Sequence, residues 1–296
     1  MHLALLRGTF WLLTILQLAN PTLDTPLTTG IFGRSVQERP LKWYRIGEGD
    51  IPFVLVGTIH AGYEANTEAA VRGLLQYFAK DPYLIDSHSL YFIPVLNPDG
   101  KVLDIRHNSN LVDLNRNWST PDWTEDIPGL WSLLRGEGGE EPFSEPETHS
   151  LQNYLLKIQQ NHPWNRITVV FMHSLLVGSN SSASTPKGLV QPAYRLNDNE
   201  RHLPPHSLQA ADIFAEYGNF TRITSWTGDY PTPGEAIHWA ALQGMMAMDI
   251  EFPTAQSLEP AEPGGNSHYD RFHSGIIALL KELICLSPLQ PAILAE

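Results

Sequence analysis

Three apolar stretches of this sequence each end in a side chain that can bind a metal ion or move a proton. PFVLVGTI runs into His60, with Glu64 four positions later, while RITVVFM runs into His173 and GMMAMDI runs into Glu251. Two imidazoles and one carboxylate are a common ligand set for a catalytic zinc ion, which keeps its fourth position open for water. His60, Glu64 and His173 fit that set, provided that the fold brings the two histidines together.

The stretches that carry these residues have the length and composition of buried strands. Each is short and almost entirely apolar, as expected for strands covered on both faces. The helical pattern AAVRGLLQYFAK, with Asn66 and Thr67 as possible N-caps, leads from the first stretch to a further strand pattern, SLYFIPVLN. Proteins with such alternation bind ligands at the carboxyl ends of their parallel strands. His60, His173 and Glu251 are all predicted to lie at that edge.

The remaining elements extend the same pattern. Ser144 and Glu147 have the spacing of a capping box before a helix that runs to about Gln160. FTRIT is a possible short strand, and residues 269 to 286 show a strong helical pattern. We therefore predict one α/β domain, residues 29–296, with a mixed, mostly parallel twisted sheet and helices on both faces.

The composition excludes some functions. The chain has 296 residues, a net charge of −13 and no run of Lys or Arg, so we expect no nucleic-acid partner. Its only cysteine, Cys285, rules out an intrachain disulfide, and its apolar neighbours indicate a buried thiol.

Residues 1–28 are predicted to be a leader and linker. Arg7 precedes GTFWLLTILQLA, whose 12 residues suit the apolar core of a secretory signal and are too few for a membrane span. QLA is a poor cleavage site, so an amphipathic N-terminal segment or a mis-set start stays open. A signal would make the protein secreted or periplasmic, and its absence would make it cytoplasmic. We expect no stable membrane span in the mature chain.

Eight segments, taken in order, resemble the zinc carboxypeptidase family, which comprises the pancreatic-type metallocarboxypeptidases and their bacterial relatives. The HAGYE loop is similar to that of the bacterial members, and the most specific segment is VDLNRNW. The resemblance implies the α/β fold of that family and a zinc-dependent enzyme that hydrolyses C-terminal peptide bonds. The segments are GRSVQERPL (33–41), GTIHAGYEANT (57–67), IPVLNPDG (93–100), VDLNRNW (112–118), FSEPET (143–148), FMHS (171–174), YPTPGEAIHWA (230–240) and MDIEF (248–252).

The resemblance also implies a metal site. One zinc ion per chain would be bound by His60, Glu64 and His173. Asp113 matches the carboxylate that holds a zinc histidine in the correct tautomer. Glu251 matches the general base, which takes a proton from the zinc-activated water and passes it to the leaving amine.

Further residues match the family's substrate-binding groups. Asn115 and Arg116 match the pair that grips the terminal carboxylate of a peptide or amide substrate. Arg106 matches the arginine that polarises the scissile carbonyl. Tyr230, in a loop punctuated by Pro and Gly, matches the tyrosine that closes over the substrate. Ser174, in FMHS, is a further expected substrate contact.

The zinc loop departs from the pancreatic pattern. Three residues separate His60 from Glu64 instead of two, and Glu68 is a weaker alternative ligand. Residues 61–63, Ala-Gly-Tyr, contain no counterpart of the basic residue with which the pancreatic enzymes contact the peptide. That loss weakens the case for long peptides as substrates.

The substrate is therefore left open between three hypotheses. Ile237 matches the bottom of the specificity pocket, and an aliphatic residue there predicts a preference for apolar C-terminal side chains. A carboxypeptidase acting on ordinary peptides is predicted first. The second hypothesis is a zinc amidase acting on γ-D-glutamyl cell-wall peptides or N-acyl amino acids. A non-catalytic relative that binds carboxylates is least expected, because the predicted ligands and Glu251 are all present.

Overall fold

The computed structural model of the protein describes residues 27–80, 87–129, 133–162, 167–174, 187–197, 200–225, 232–261 and 265–283. Residues 1–26 of the predicted leader, Tyr230 and Cys285 lie outside the described residues. Within the described ranges, no helix is both long and apolar enough to cross a membrane.

Strands and helices alternate along most of the chain. The strands are β1 (Thr28–Arg34), β2 (Pro40–Ile46), β3 (Ile51–Val56), β4 (His88–Ile93), β5 (Ile127–Pro128), β6 (Leu133–Leu134), β7 (Thr168–Ser174), β8 (Leu189–Pro192), β9 (Arg195–Asn197), β10 (Glu200–His202), β11 (Thr221–Arg222) and β12 (Met246–Phe252). The helices are α1 (Thr67–Lys80), α2 (Pro98–Leu103), α3 (Pro146–Asn161), α4 (Pro205–Gly218), α5 (Ala236–Leu242) and α6 (Ser267–Leu283).

An eight-stranded mixed sheet, in the order β1-β2-β4-β3-β7-β12-β8-β11, forms the centre of the fold. Its middle strands β4, β3, β7 and β12 run parallel, and β2 and β8 flank them antiparallel. In the sheet, β4 lies on one side of β3 and β7 lies on the other side, so the connections from β3 to β4 and from β4 to β7 run in opposite directions across the sheet. Such a reversal of strand order opens a crevice at the carboxyl edge of the sheet, where α/β proteins bind ligands.

Each face of the sheet is covered by its own apolar cluster. Helices α1, α4 and α6 pack on one face, over alternate strand residues such as Leu55 and Ile250. Helices α3 and α5 pack on the other face together with Trp118, over Val54 and Phe171. The predicted mixed α/β sheet with helices on both faces is confirmed.

The first residues of helices α1 and α3 can be compared with the caps predicted from the sequence. Helix α1 begins at Thr67, whose hydroxyl donates to the Glu64 carbonyl and accepts from the Thr58 amide. Helix α3 begins at Pro146, because proline suits the first helical position, where an N–H would have no partner. Ser144 then lies two residues before the helix and cannot cap it, so the predicted capping box is wrong.

The sequence patterns missed two parts of the sheet. The β1–β2 hairpin was not predicted, and β8 lies in a segment that the sequence did not assign to any strand. Yet β8 is an interior strand, between β12 and β11, and its last three residues are buried. Only two residues of the FTRIT stretch form a strand, β11.

Candidate metal centre and active site

The metal-capable side chains predicted from the sequence meet at the carboxyl edge of β3, β7 and β12. These strands are parallel neighbours, so their carboxyl ends lie at one edge of the sheet. His60 lies four residues beyond the end of β3. His173 and Glu251 are directly paired across β7 and β12, and therefore project from the same face. The structure thus brings His60 and Glu64 to His173, and all three side chains are buried.

The ligand atoms of His60, Glu64 and His173 have the spacing of a zinc site. The two Nδ1 atoms lie 3.1 Å apart. Glu64 Oε2 lies 3.1 Å from Nδ1 of His60 and 3.4 Å from Nδ1 of His173. A tetrahedral zinc ion with bonds of about 2.0–2.1 Å would hold its ligand atoms about 3.3 Å apart. Both the spacing and the donor types therefore fit zinc.

A carboxylate stands behind each histidine. Nε2 of His60 lies 2.7 Å from Asp113 Oδ1, and Nε2 of His173 lies 3.5 Å from Asp249 Oδ1. With its proton on Nε2, His60 would donate to Asp113 and direct its Nδ1 lone pair at the centre of the triad. Burial opposes ionisation of Asp113, but His60 and Arg106 outweigh it and hold the pKa of Asp113 well below its usual range.

Negative charge accumulates around the triad. Glu64, Asp113, Asp249 and Glu251 all lie within electrostatic reach of the two imidazoles. Burial raises the pKa of Glu251 to about 8; His173 opposes this shift, and Glu64 and Asp249 add to it. A divalent cation among the three ligand atoms would offset this repulsion and favour an ionised Glu251.

Arg106 lies against the triad and is partly open to solvent. Its Nε and Nη2 each donate to Asp113 Oδ2 at 3.2 Å, and its Nη1 donates to Glu64. The same Nη1 lies 3.4 Å from the hydroxyl of Tyr63, which is exposed at the rim. The side chain of Arg106 is 29% exposed. A substrate carbonyl could therefore approach the guanidinium, as the predicted role requires.

Asn115 is buried beside His173, and Arg116 is buried against Asn115 and Glu235. Nδ2 of Asn115 lies 3.5 Å from Nε2 of His173, and its Oδ1 accepts from the amide of Ala236 at 3.0 Å. Nη1 of Arg116 donates to the carbonyl of Asn115 at 2.8 Å and lies 3.5 Å from Glu235 Oε1. The predicted carboxylate anchors therefore lie next to the candidate metal site.

Two buried acids of this site were not predicted from the sequence. Glu235 lies 2.8 Å from Nε2 of His238. Burial opposes its ionisation, but His238 and Arg116 lower its pKa. Asp249 lies behind His173. The position of Asp249 could have been predicted from the sequence, because a residue two positions before Glu251 in a strand must project from the same face as Glu251.

Ser174 and Ile237, which were predicted to contact the substrate, are both buried. The side chain of Ser174 lies on the opposite face of β7 from His173, and its hydroxyl donates to Asn66. Its amide, not its hydroxyl, contacts the triad, donating to Glu64 Oε2 at 3.2 Å. The Ser174 amide therefore helps to hold Glu64, and its contact with substrate stays a prediction. Ile237 is fully buried in the apolar cluster with Trp118.

Glu68 is excluded as an alternative ligand by its contacts. Oε1 accepts from Arg72 Nε at 2.7 Å, and Oε2 accepts from Lys101. Both oxygens are thus engaged on the surface of α1. The predicted role of Tyr230 cannot be placed, because this residue lies outside the described ranges.

Comparison with known proteins agrees with this geometry. The family model described as zinc carboxypeptidase matches residues 16–264. In sequence, the chain is 28% identical over 246 residues to murein peptide amidase A of Escherichia coli (strain K12), which covers 80% of this chain and 86% of that protein.

Solved structures show the same fold. Carboxypeptidase A from Helicoverpa armigera superposes with a TM-score of 0.67 at 19% identity, covering 89% of this chain and 70% of that one. The murein-tripeptide amidase from Escherichia coli O157 superposes with a TM-score of 0.57 at 24% identity, covering 91% and 98% of the two chains. These likenesses concern the fold alone.

Proposed function

The chain belongs to the zinc carboxypeptidase family, and on that premise we propose that it is a zinc-dependent hydrolase of the amide bond next to a terminal carboxylate. One zinc ion per chain would be held by His60, Glu64 and His173. The observation that carries the proposal is the convergence of these three ligand atoms, with Glu251 in register beside His173.

The reaction needs a base next to the metal site. Zinc held there supplies an acidified water molecule and a Lewis acid for the substrate carbonyl. Glu251 accepts the proton of that water and then donates it to the leaving amine, so that no free amide anion forms. The partly exposed position of Glu251 at the end of β12 lets its carboxyl group reach the crevice.

The remaining residues bind and polarise the substrate. Arg106 stabilises the negative charge that develops on the carbonyl oxygen when water adds to it. Arg116 and Asn115 bind the terminal carboxylate, because a planar guanidinium matches two carboxylate oxygens. Tyr230 is proposed to close over the bound substrate. The substrate must therefore carry a free carboxylate on the residue that leaves.

We place γ-D-glutamyl cell-wall peptides first among the substrates. The likeness to murein peptide amidase A extends over 80% of this chain, and the two proteins are of similar length. The Ala-Gly-Tyr of residues 61–63 offers no cation to a longer peptide. This order reverses that predicted from the sequence, in which ordinary peptides came first.

Hydrolysis of ordinary C-terminal peptide bonds is the second candidate. It needs the same zinc ligands, base and carboxylate anchor, and the fold is also that of carboxypeptidase A from Helicoverpa armigera. Arg106 and Arg116 would serve both substrates in the same way, so the site geometry accepts either.

Mass spectrometry of the products decides between the two. Purified protein is incubated with cell-wall peptides and N-acyl amino acids in one pool and with ordinary peptides of varied C-termini in another. Each pool is run with and without a zinc chelator. We expect chelator-sensitive cleavage in the first pool. Loss of single C-terminal residues from ordinary peptides alone would favour the carboxypeptidase, and no cleavage in either pool would contradict the proposed function.

A further inference from the structure

Tyr63 lies at the rim of the crevice, next to the candidate metal site. Tyr63 is 42% exposed, yet its hydroxyl oxygen accepts from Nη1 of Arg106 at 3.4 Å. The same Nη1 donates to the candidate zinc ligand Glu64. The hydroxyl group therefore lies beside the groups assigned to the reaction, while part of the side chain faces solvent.

The hydroxyl proton of Tyr63 is available to an acceptor on the substrate. A phenol both donates and accepts, and its proton rotates to suit its neighbours. Glu64 also acts on this hydroxyl, but its carboxylate is assigned to zinc and already accepts from Arg106. The bond from Arg106 polarises the hydroxyl and makes it a stronger donor. An anionic acceptor suits a donor that stands next to a guanidinium.

The backbone keeps Tyr63 in a fixed position relative to Arg106. The amide of Ala61 donates to the Arg106 carbonyl at 3.2 Å. Residues Gly62–Glu64 form one turn of 3-10 helix, which carries Tyr63 in its middle. Because the zinc loop is bonded to residue 106, both donors are in place before the substrate binds, which lowers the entropic cost of binding.

The acyl part of the substrate must extend towards this rim. The side chain of Arg116, assigned to the terminal carboxylate of the leaving residue, is 4% exposed, whereas that of Arg106 is 29% exposed. A substrate with its terminal carboxylate at the buried arginine and its scissile carbonyl at Arg106 continues on the open side. Tyr63 therefore lies where the acyl residue is expected, away from the leaving residue.

We propose that the Tyr63 hydroxyl binds a free carboxylate on the acyl residue, namely the α-carboxylate that a γ-D-glutamyl link leaves unbonded. This inference rests on the proposed function and names the group by which the site recognises that substrate. Three carbon atoms separate the α-carboxylate carbon from the scissile carbonyl carbon, about 5 Å in an extended chain. Donor atoms 3.4 Å apart can each hold an acceptor at that separation.

An ordinary peptide offers no carboxylate at this position. Its acyl residue is linked through the α-carbonyl and presents a nitrogen that donates hydrogen bonds instead. Arg106 only donates, so it cannot pair with such a group. The contact with Tyr63 therefore favours a γ-D-glutamyl substrate over an α-linked one.

The test uses two substrates that differ only at that carboxylate. One is γ-D-glutamyl-lysine, and the other is the same dipeptide with the glutamyl α-carboxylate converted to a carboxamide. Values of kcat/KM are measured with the zinc-loaded full-length protein. We expect the wild type to prefer the carboxylate by at least about tenfold, which corresponds to 1.4 kcal/mol. The leaving residue is the same in both substrates, so the ratio reports the acyl side alone.

Replacing Tyr63 should remove that preference. Tyr63→Phe deletes only the hydroxyl, so the ratio should fall several-fold, mainly through a higher KM for the carboxylate substrate. Tyr217→Phe, an exposed change of the same kind on α4, is the matched control and should keep the wild-type ratio. Zinc content should stay near one per chain in both variants, which separates the effect from any change at Glu64.

Two results would overturn the inference while leaving the proposed function intact. The first is a wild type that cleaves both substrates with equal kcat/KM. The second is a Tyr63→Phe variant that lowers kcat equally for both substrates, which would make Tyr63 a positioning residue for Arg106 instead.

A failed proposed function gives a different result from a failed carboxylate contact. If neither dipeptide is cleaved, binding of D-glutamate and D-isoglutamine to the zinc-loaded protein is compared by calorimetry. Both fragments keep the γ-carboxylate and differ only at the α position. Tighter binding of D-glutamate that is lost in Tyr63→Phe supports the contact without turnover. Equal binding, or none, overturns it.

Discussion

Glu251 owes its position to strand register. Because β7 and β12 are parallel and paired residue by residue, Glu251 and His173 project side by side from the carboxyl edge of the sheet. Burial raises the pKa of Glu251 to about 8, and His173 opposes that shift. A cation bound beside His173 would also act to lower the pKa of Glu251. The base is therefore expected to work only when the metal site is filled.

Replacing Glu251 separates catalysis from metal binding. Glu251→Gln keeps the size of the side chain but removes its ability to accept a proton. We expect turnover to fall by about 10²- to 10⁴-fold, the usual contribution of a general base. Zinc content, measured by mass spectrometry of the metal, should stay near one per chain. A variant with near-normal turnover would remove Glu251 from the reaction.

Glu64 can be tested against its neighbour Glu68. Glu64→Ala removes the only carboxylate oxygen of the candidate ligand set, so zinc content should fall well below one per chain and turnover with it. Glu68→Ala lies four residues further on, breaks only contacts with Arg72 and Lys101, and is the matched control. Full zinc occupancy in Glu64→Ala would contradict the ligand assignment.

At the scale of secondary-structure elements, helix α5 and the loop before it hold Asn115 and Arg116, the residues proposed to bind the substrate carboxylate. The amide of Ala236, at the start of α5, donates to Asn115. The loop before it is held by the Trp118 amide, which donates to the Gly234 carbonyl at 3.1 Å. Gly234 has a φ of +71°, and a Cβ there would lie 2.3 Å from the Arg116 carbonyl oxygen. Only glycine fits at this contact.

Gly234→Ala should therefore disturb substrate binding as well as stability. Both the positive φ and the clash require the Arg116 backbone to move, so we expect KM for a carboxylate-terminated substrate to rise about tenfold or more. Gly244→Ala at the other end of α5 is the matched control, since its φ is +81° and a Cβ would meet nothing within 4 Å. That variant should lower the melting temperature and leave KM unchanged. Equal KM values in both variants would contradict the docking argument.

At the scale of the whole molecule, buried ionisable groups set the dependence of stability on pH. His88, at the start of β4, is fully buried, and burial lowers its pKa to about 4. Between the ordinary value of 6.5 and about 4, the unfolded chain binds a proton that the folded chain does not. The contribution of a neutral His88 to the free energy of unfolding is therefore fully present above pH 6.5. It is lost as the pH drops from 6.5 to about 4, by about 3 kcal/mol in total.

Glu147, near the start of α3, affects the dependence of stability on pH in the opposite direction to His88. Its carboxyl group is fully buried, and burial raises its pKa to about 7. Above pH 4.5 the unfolded chain loses a proton that the folded chain keeps. Its contribution to stability therefore falls as the pH rises from 4.5 to about 7, which opposes the effect of His88 between pH 4.5 and pH 6.5.

Replacing His88 should flatten the acid side of the stability profile. In His88→Leu no buried imidazole has to be kept neutral, so the free energy of unfolding should fall less between pH 6.5 and pH 4. Urea unfolding at several pH values measures this slope. His149→Gln, an exposed change on α3, should keep the wild-type slope. An unchanged slope in His88→Leu would show that His88 does not control acid stability.

The amino-acid sequence by itself determined the types of the candidate site residues and most of the elements that carry them. Apolar runs ending in His60, His173 and Glu251 predicted strands, and parallel strands place their carboxyl ends at one edge. The position of the three ligand residues could therefore be predicted from local pattern and spacing. The helices on both faces followed from the same alternation.

Only the tertiary structure decided which side chains meet across strands that are distant in sequence. The sequence of β8 is short and mixes polar and apolar residues, so it gave no strand pattern. Pairing with β12 nevertheless buries this strand and places Gln191 opposite Asp249. The alternation of side chains along β7 already places Ser174 on the face opposite His173, but only the packing of the loop after β3 brings Asn66 to its hydroxyl. Hydrophobic periodicity depends on neighbours in the chain, whereas strand order and register depend on packing between elements, and packing therefore decided which residues lie next to each other at this site.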